Sequence, residues 1–174
     1  YIIGKFEEKL LPPNPHTRKI DDKERWSWYE VVLEVYPHLM AAGILLIPKD
    51  LMAGEQRPVV VCQHGRNGLP QELVEGNNTY YNDVAAKLAD QGFIVYVPQN
   101  PYRGEDRYRW LDRKANTISK TLFSFIISQH DQTPVSYTHL RAHETVLDLV
   151  CRLLLEKKQN KTNTPDITYN IANS

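Results

Sequence analysis

From Trp28 to Tyr36 large apolar side chains alternate with other residues, and Glu30 and Glu34 fall on one face of the two-residue repeat, which predicts a β-strand. Pro37-His38 supplies a turn. Met40-Ala-Ala-Gly-Ile-Leu-Leu-Ile47 then reads as a second strand stopped by Pro48, so the two should pair as a hairpin at the edge of a sheet. After a polar loop over 49–57, the β-branched run at 58–63 is bounded by Pro58 and Gly65 and reads as a buried central strand of a parallel sheet. Tyr81, Val84, Ala85 and Leu88 recur at helical spacing, and Gly92 stands where that helix should end. Phe93-Ile-Val-Tyr-Val97 follows at once as another buried strand, closed by Pro98. Strand, helix and strand in this order predict a right-handed parallel crossover.

Beyond Gln99 the pattern weakens. Gln99 to Asp112 reads as a long loop, and Ile118, Leu122, Phe125 and Ile126 mark one face of a second helix. An alternating sheet should continue with a strand after about Thr133, but Pro134 to Arg141 is polar. Ala142 to Lys158 reads as an amphipathic helix with Val146, Leu147, Val150, Leu153 and Leu154 on its apolar side. Residues 159–174 are rich in Asn and Thr and read as disordered. Residues 1–25, polar and containing Leu11-Pro-Pro-Asn-Pro15, read as an extended N-terminal segment. All eight glycines lie in the first 104 residues, so the second half does not read as the second half of an α/β domain, which needs Gly at its turns throughout.

The chain of 174 residues is long enough for one domain with a core. Its formal net charge is zero and its pI about 7.2, which gives no electrostatic case for nucleic acid or an anionic membrane. No apolar run approaches the roughly 20 residues of a membrane span. The two cysteines, Cys62 and Cys151, make no disulfide framework, and Cys62 reads as a small core residue. Nothing here fixes a cellular compartment.

Four segments stand in order at spacings that fit a single domain. They are Pro58-Val-Val-Val-Cys-Gln-His-Gly-Arg-Asn-Gly68, Ala86-Lys-Leu-Ala-Asp-Gln-Gly-Phe93, Pro98-Gln-Asn-Pro-Tyr-Arg-Gly-Glu-Asp-Arg107 and Arg113-Lys-Ala-Asn-Thr-Ile-Ser-Lys-Thr-Leu-Phe-Ser124. Together, over residues 29–133, they resemble the first half of an α/β-hydrolase, in particular the acetyl xylan esterases and dienelactone-hydrolase-like carboxylesterases. The fold this implies is an antiparallel edge hairpin followed by a parallel βαβα unit, truncated before the strand that carries the nucleophile. The resemblance also implies that Arg66, directly after His64-Gly65, donates its backbone N–H to the oxyanion of a tetrahedral intermediate. Such a donor contributes roughly 3–4 kcal/mol of transition-state stabilisation. His64, Gly65 and Gly68 would shape this loop, with His64 orienting it and not acting as the base. Arg103 and Gly104 would shape the next, where Arg103, Glu105 and Asp106 are expected to form ion pairs. Tyr102, Tyr108 and Trp110 are candidates for the wall of an acyl or sugar pocket. The implied reaction is ester hydrolysis through an acyl-serine, without metal or organic cofactor, on a small ester or an acylated carbohydrate. A prolyl-oligopeptidase-type serine peptidase, with a comparable His-Gly loop, is the alternative within the fold. A non-catalytic interaction protein that docks its 142–158 helix is the alternative outside it.

The sequence departs from this pattern in its second half. None of Ser27, Ser119, Ser124, Ser128, Ser136 and Ser174 has Gly two residues before or after it, so the Gly-x-Ser-x-Gly elbow is missing. Ser128-Gln-His130-Asp131 holds the residue types of a triad, but neighbours at a helix end cannot adopt its geometry. His139 and His143 have the i, i+4 spacing of a zinc pair, yet Glu144 follows the second His where the metalloprotease pattern needs it after the first, and no third ligand is evident. Ser136 to Lys158 resembles a sequence that recurs at the ends of unrelated metagenomic translations, which implies read-through of a technical sequence. The expected organisation is therefore an N-terminal segment over 1–25, a partial α/β-hydrolase domain over 26–133 and an unrelated tail over 134–174. The chain should be inactive as it stands, and its open sheet edge should favour self-association or aggregation.

Overall fold

The computed structural model describes residues 3–52 and 55–142, with residues 134–142 by backbone only. The elements in order are β1 (His16–Asp22), β2 (Trp26–Tyr36), β3 (Leu39–Pro48), β4 (Val59–Val61), α1 (Val84–Asp90), β5 (Ile94–Gln99), α2 (Tyr108–Asn116) and α3 (Leu122–Ala142). The five strands form one sheet in the order β1-β2-β3-β5-β4. All neighbours are antiparallel except β4 and β5, which run parallel through Val59↔Ile94, Val60↔Val95 and Val61↔Tyr96. Among the described residues this is a mixed sheet with three α-helices, an α/β fold.

The apolar pattern decides which faces are buried. Along β2, Val31, Leu33 and Val35 turn inward while Glu30, Val32 and Glu34 stay half-buried. They join Leu45 and Ile47 of β3 and Ile94 and Tyr96 of β5 in one core layer, which α3 covers. The alternate residues Ile44 and Leu46 of β3 and Val95 and Val97 of β5 pack on the opposite face with Cys62, Leu73, Ala85 and Ala89. A strand buried on both faces needs no polar alternation, which is why β3 and β5 read as continuous apolar runs. Gly92, with φ +89°, ends α1 as its position predicts.

Five sequence-based expectations need correction. Part of the segment read as an N-terminal approach is β1, which lies outside the β2–β3 hairpin and takes the sheet edge from it. Its seven side chains are exposed or half-buried, so it carries no apolar period, and backbone pairing and surface pairs such as Arg18–Glu30 at 2.6 Å hold it. The strand read over 58–63 as central is only three residues long and pairs with β5 alone among the described residues, leaving Val61 48% exposed. The loop read over 99–112 contains the start of α2, a polar helix whose only buried residue is Ala115. Ile118 stands between helices and not on one. Ser119 has φ +55°, and α3 begins after Thr121, whose N–H donates to Ser124 Oγ at 3.0 Å while Ser124 N–H returns to Thr121 O at 3.0 Å.

The backbone of α3 also continues through Pro134 to Arg141, which the sequence reads as a polar break. The helix expected from Ala142 to Lys158 and the Asn/Thr-rich end lie beyond Ala142, outside the described residues.

Candidate functional site

In an open α/β sheet, ligands are met in the crevice beyond the carboxyl ends of the strands. Here β4 and β5 end side by side, and Cys62 N–H extends their pairing to Tyr96 O at 2.9 Å. The chain then leaves β4 through Gln63 and His64 into a tight turn closed by Gly68 N–H to Gly65 O at 3.0 Å. Asn67 at the third position has φ +64°, whereas Arg66 is not in the positive region, the signature of a type II turn with Asn where Gly or Asn is required. Gly65 N–H donates to Tyr81 Oη at 2.9 Å, and a Cβ on Gly68 would sit 2.9 Å from that same oxygen. No acceptor among the described residues takes the Arg66 N–H.

A directed set of hydrogen bonds fixes the turn to its surroundings. Asn100 N–H, just after β5, donates to His64 Nε2 at 3.3 Å. Nε2 therefore accepts, and Nδ1 carries the proton that it donates to Gly65 O at 2.9 Å. His64 is 1% exposed, and both its ring nitrogens are engaged in these two bonds. Tyr102 donates its hydroxyl proton to His64 O at 2.8 Å and accepts from Asn100 Nδ2 and Gln63 Nε2, both at 2.9 Å. The Asn100 amide is thereby oriented with Oδ1 toward α3, where His130 Nε2 donates to it at 2.9 Å.

The other expected site residues fall around this turn. Asn67 Oδ1 accepts from Gly104 N–H at 3.0 Å and Arg103 pairs with Glu105 at 2.9 Å, whereas Asp106 forms no ion pair among the described residues. The Arg66 guanidinium donates to the Tyr108 hydroxyl and lies 5.5 Å from its ring centroid. Hydrogen bonds from Arg109 and then Arg66 hold the Tyr108 phenol below its usual range, since both cations favour the phenolate. Trp110 is 64% exposed. Tyr102, with its hydroxyl committed to three bonds, joins the two loops together.

Ser128, His130 and Asp131 do not assemble a triad. Ser128 Oγ donates to Ser124 O at 3.1 Å, while His130 faces Asn100. No cluster of three or more His, Cys, Asp or Glu able to hold a metal occurs among the described residues, and the side chains of His139 and His143 lie outside them. Among the described residues no helix is long and apolar enough to cross a membrane. A cavity of about 540 Å³ lies at the opposite end of the sheet, by the residues that enter β4 and β5, and its Arg57 is already paired with Asp50 at 2.8 Å and Glu55 at 2.6 Å.

Sequence reasoning passes over Tyr81, Asn100 and His130 as members of this site. Asn100 gives one faint signal, a polar residue placed directly after a buried strand yet only 2% exposed.

Half-burial on α3 pushes the His130 pKa below its ordinary 6.5, because desolvation disfavours the cation; Asp131 opposes this and His64 adds to it. The folded state thus binds fewer protons than the unfolded chain between the two values. His130's share of stability is expected to be complete above pH 6.5 and to decline as pH falls below it. Urea unfolding of wild type and His130→Gln from pH 7 to 5 checks this: the difference between them should grow toward pH 5 in favour of the variant.

No family model and no curated protein sequence matches the chain. Among solved structures it is similar to a Bacteroides fragilis protein described as a putative acetyl xylan esterase, with 18% identity and a TM-score of 0.62. The likeness covers 75% of this chain and 39% of that one, so the chain spans about two fifths of its neighbour's length. At this identity the likeness speaks for the fold alone, an α/β fold.

Proposed function

We propose that residues 26–133 are the first half of a serine carboxylesterase of the α/β-hydrolase fold, with the Arg66 N–H as one donor of its oxyanion hole. The observation that supports this reading is the turn after β4: its Gly65 and Gly68 N–H groups have acceptors, Tyr81 Oη and Gly65 O, whereas those of Arg66 and Asn67 have none among the described residues. In the complete enzyme a serine oxygen attacks the ester carbonyl, and Arg66 N–H binds the oxygen that becomes negative. The alcohol then leaves and water releases the acid from the acyl-serine. Acylated carbohydrates are the substrate class favoured by the fold likeness and the sequence resemblance. The nucleophile, acid and base belong to a second half, which would add its first strand to the open side of β4. Residues 134–174 form an unrelated tail on this reading.

The 174-residue chain is accordingly expected to hydrolyse p-nitrophenyl acetate no faster than a heat-killed control, because oxyanion donors alone retain little of the catalysis. A full-length enzyme should hydrolyse it and lose that activity to a serine-directed phosphonate. Inhibitor-sensitive hydrolysis by the short chain, or none by the full-length protein, would overturn the assignment.

A further inference from the structure

We propose that His130 is a positioning residue for the His64–Gly68 turn, holding from α3, through Asn100, the backbone that presents the Arg66 N–H. The role serves catalysis only on the oxyanion reading above, but the mechanical coupling it describes exists or fails independently of that reading.

Every bond between His130 and the turn has one permitted direction. Tyr102 spends its single hydroxyl proton on His64 O at 2.8 Å, so it can only accept from Asn100 Nδ2. Asn100 Oδ1 must then face His130, whose Nε2 must donate. The same Asn100 gives its backbone N–H to His64 Nε2, and His64 gives Nδ1–H to Gly65 O, the oxygen that also closes the turn by accepting from Gly68. Asn100 is 2% and His64 1% exposed, so water cannot replace a lost partner without opening the site. Two titratable groups from other segments neighbour His130, namely His64 from the turn after β4 and Tyr102 through the Asn100 amide; Asp131 lies beside it on its own helix.

An oxyanion donor functions only if held within about 0.5 Å of its productive place. A two-residue turn at the end of a three-residue strand has little rigidity of its own. The contact from α3 supplies what the strand does not, and it makes the turn's order depend on a residue that never touches substrate.

The test is native-state hydrogen exchange with amide NMR on the 174-residue chain, comparing wild type, His130→Ala and His130→Gln. Gln is chosen because its Nε2 can still donate to Asn100 Oδ1. Protection of the Gly65 and Gly68 amides, taken relative to Val95 and Tyr96 in β5, should fall about tenfold in the Ala variant and return to within about twofold of wild type in the Gln variant. Relative protection that is the same in all three proteins overturns the proposal. Should the Ala variant not fold, His130→Asn, whose shorter amide cannot reach Asn100 Oδ1 as Gln does, takes its place with the same expected loss of Gly65 and Gly68 protection. Protection in His130→Asn equal to wild type sinks the coupling and leaves the hydrolase reading standing. An inactive full-length enzyme would sink the hydrolase reading and leave the coupling intact.

Discussion

Replacing Arg66 by proline is expected to leave the fold intact and to lower kcat of the proposed full-length hydrolase by about 10²–10³-fold. Proline removes the backbone N–H and nothing else that the reaction needs. Its fixed φ suits the second position of a type II turn, the place Arg66 occupies between Gly65 and the positive-φ Asn67. Gly65 has no Cβ to meet the pyrrolidine ring. The turn therefore keeps its Gly68 N–H to Gly65 O bond, and the variant should be no less stable than the parent, with a gain of up to about 1 kcal/mol from the stiffer unfolded chain. Arg66→Ala is the paired control. It deletes the guanidinium and its contact with Tyr108 but keeps the N–H, so kcat should stay within a few-fold. Equal losses in the two variants would assign the effect to the side chain and remove the oxyanion role from Arg66.

The second large effect concerns the antiparallel pairing of β3 with β5, the strand whose end reaches the site. Alanine at position 43 should cost about 3 kcal/mol, the upper end for one methyl group added to a packed core. A Cβ there would lie 2.6 Å from Val97 O and 2.7 Å from two atoms of the Tyr96 ring. Tyr96 is fully buried and cannot swing away, and the Val97 carbonyl belongs to the strand opposite. A domain of this size has only about 5–15 kcal/mol of stability in all, so the urea midpoint should drop far. Gly104→Ala is the matched control: its Cβ would come no closer than 3.7 Å to anything, and stability should change by about 0.5 kcal/mol or less. A Gly43→Ala midpoint as close to wild type as the control's would contradict the Gly43↔Pro98 register.

The strands that bury a face were legible in the sequence because their side chains record the burial. Val31, Leu33 and Val35 alternate with half-buried neighbours, and Ile44 to Ile47 and Ile94 to Val97 are apolar throughout because both faces are covered. β1 and α2 left no such record. An edge strand with exposed side chains and a helix with one buried alanine are held by backbone bonds and surface pairs, to which hydrophobic periodicity is blind. The run at 58–63 looked longer as a strand than it is because β-branched residues report strand preference, whereas pairing needs neighbours, and β4 has one among the described residues.

In the site, the His64-Gly65 turn was legible through its motif. Asn100 and His130 were not, since each gains its role from a partner 36 or 30 residues away. Tyr102 drew attention as an aromatic near a loop, but what distinguishes it is the hydroxyl that ties Gln63, His64 and Asn100 together.

The central claim is that this chain carries one half of a serine hydrolase. The measurement that bears on it most directly is to re-amplify the source DNA from independent template and sequence it across codons 125–145 and onward. The expected result is a frame that continues past Thr133 into an apolar strand and a Gly-x-Ser-x-Gly elbow. A frame that instead encodes Ser136 to Lys158 as it stands would contradict the claim and leave the chain without a catalytic role.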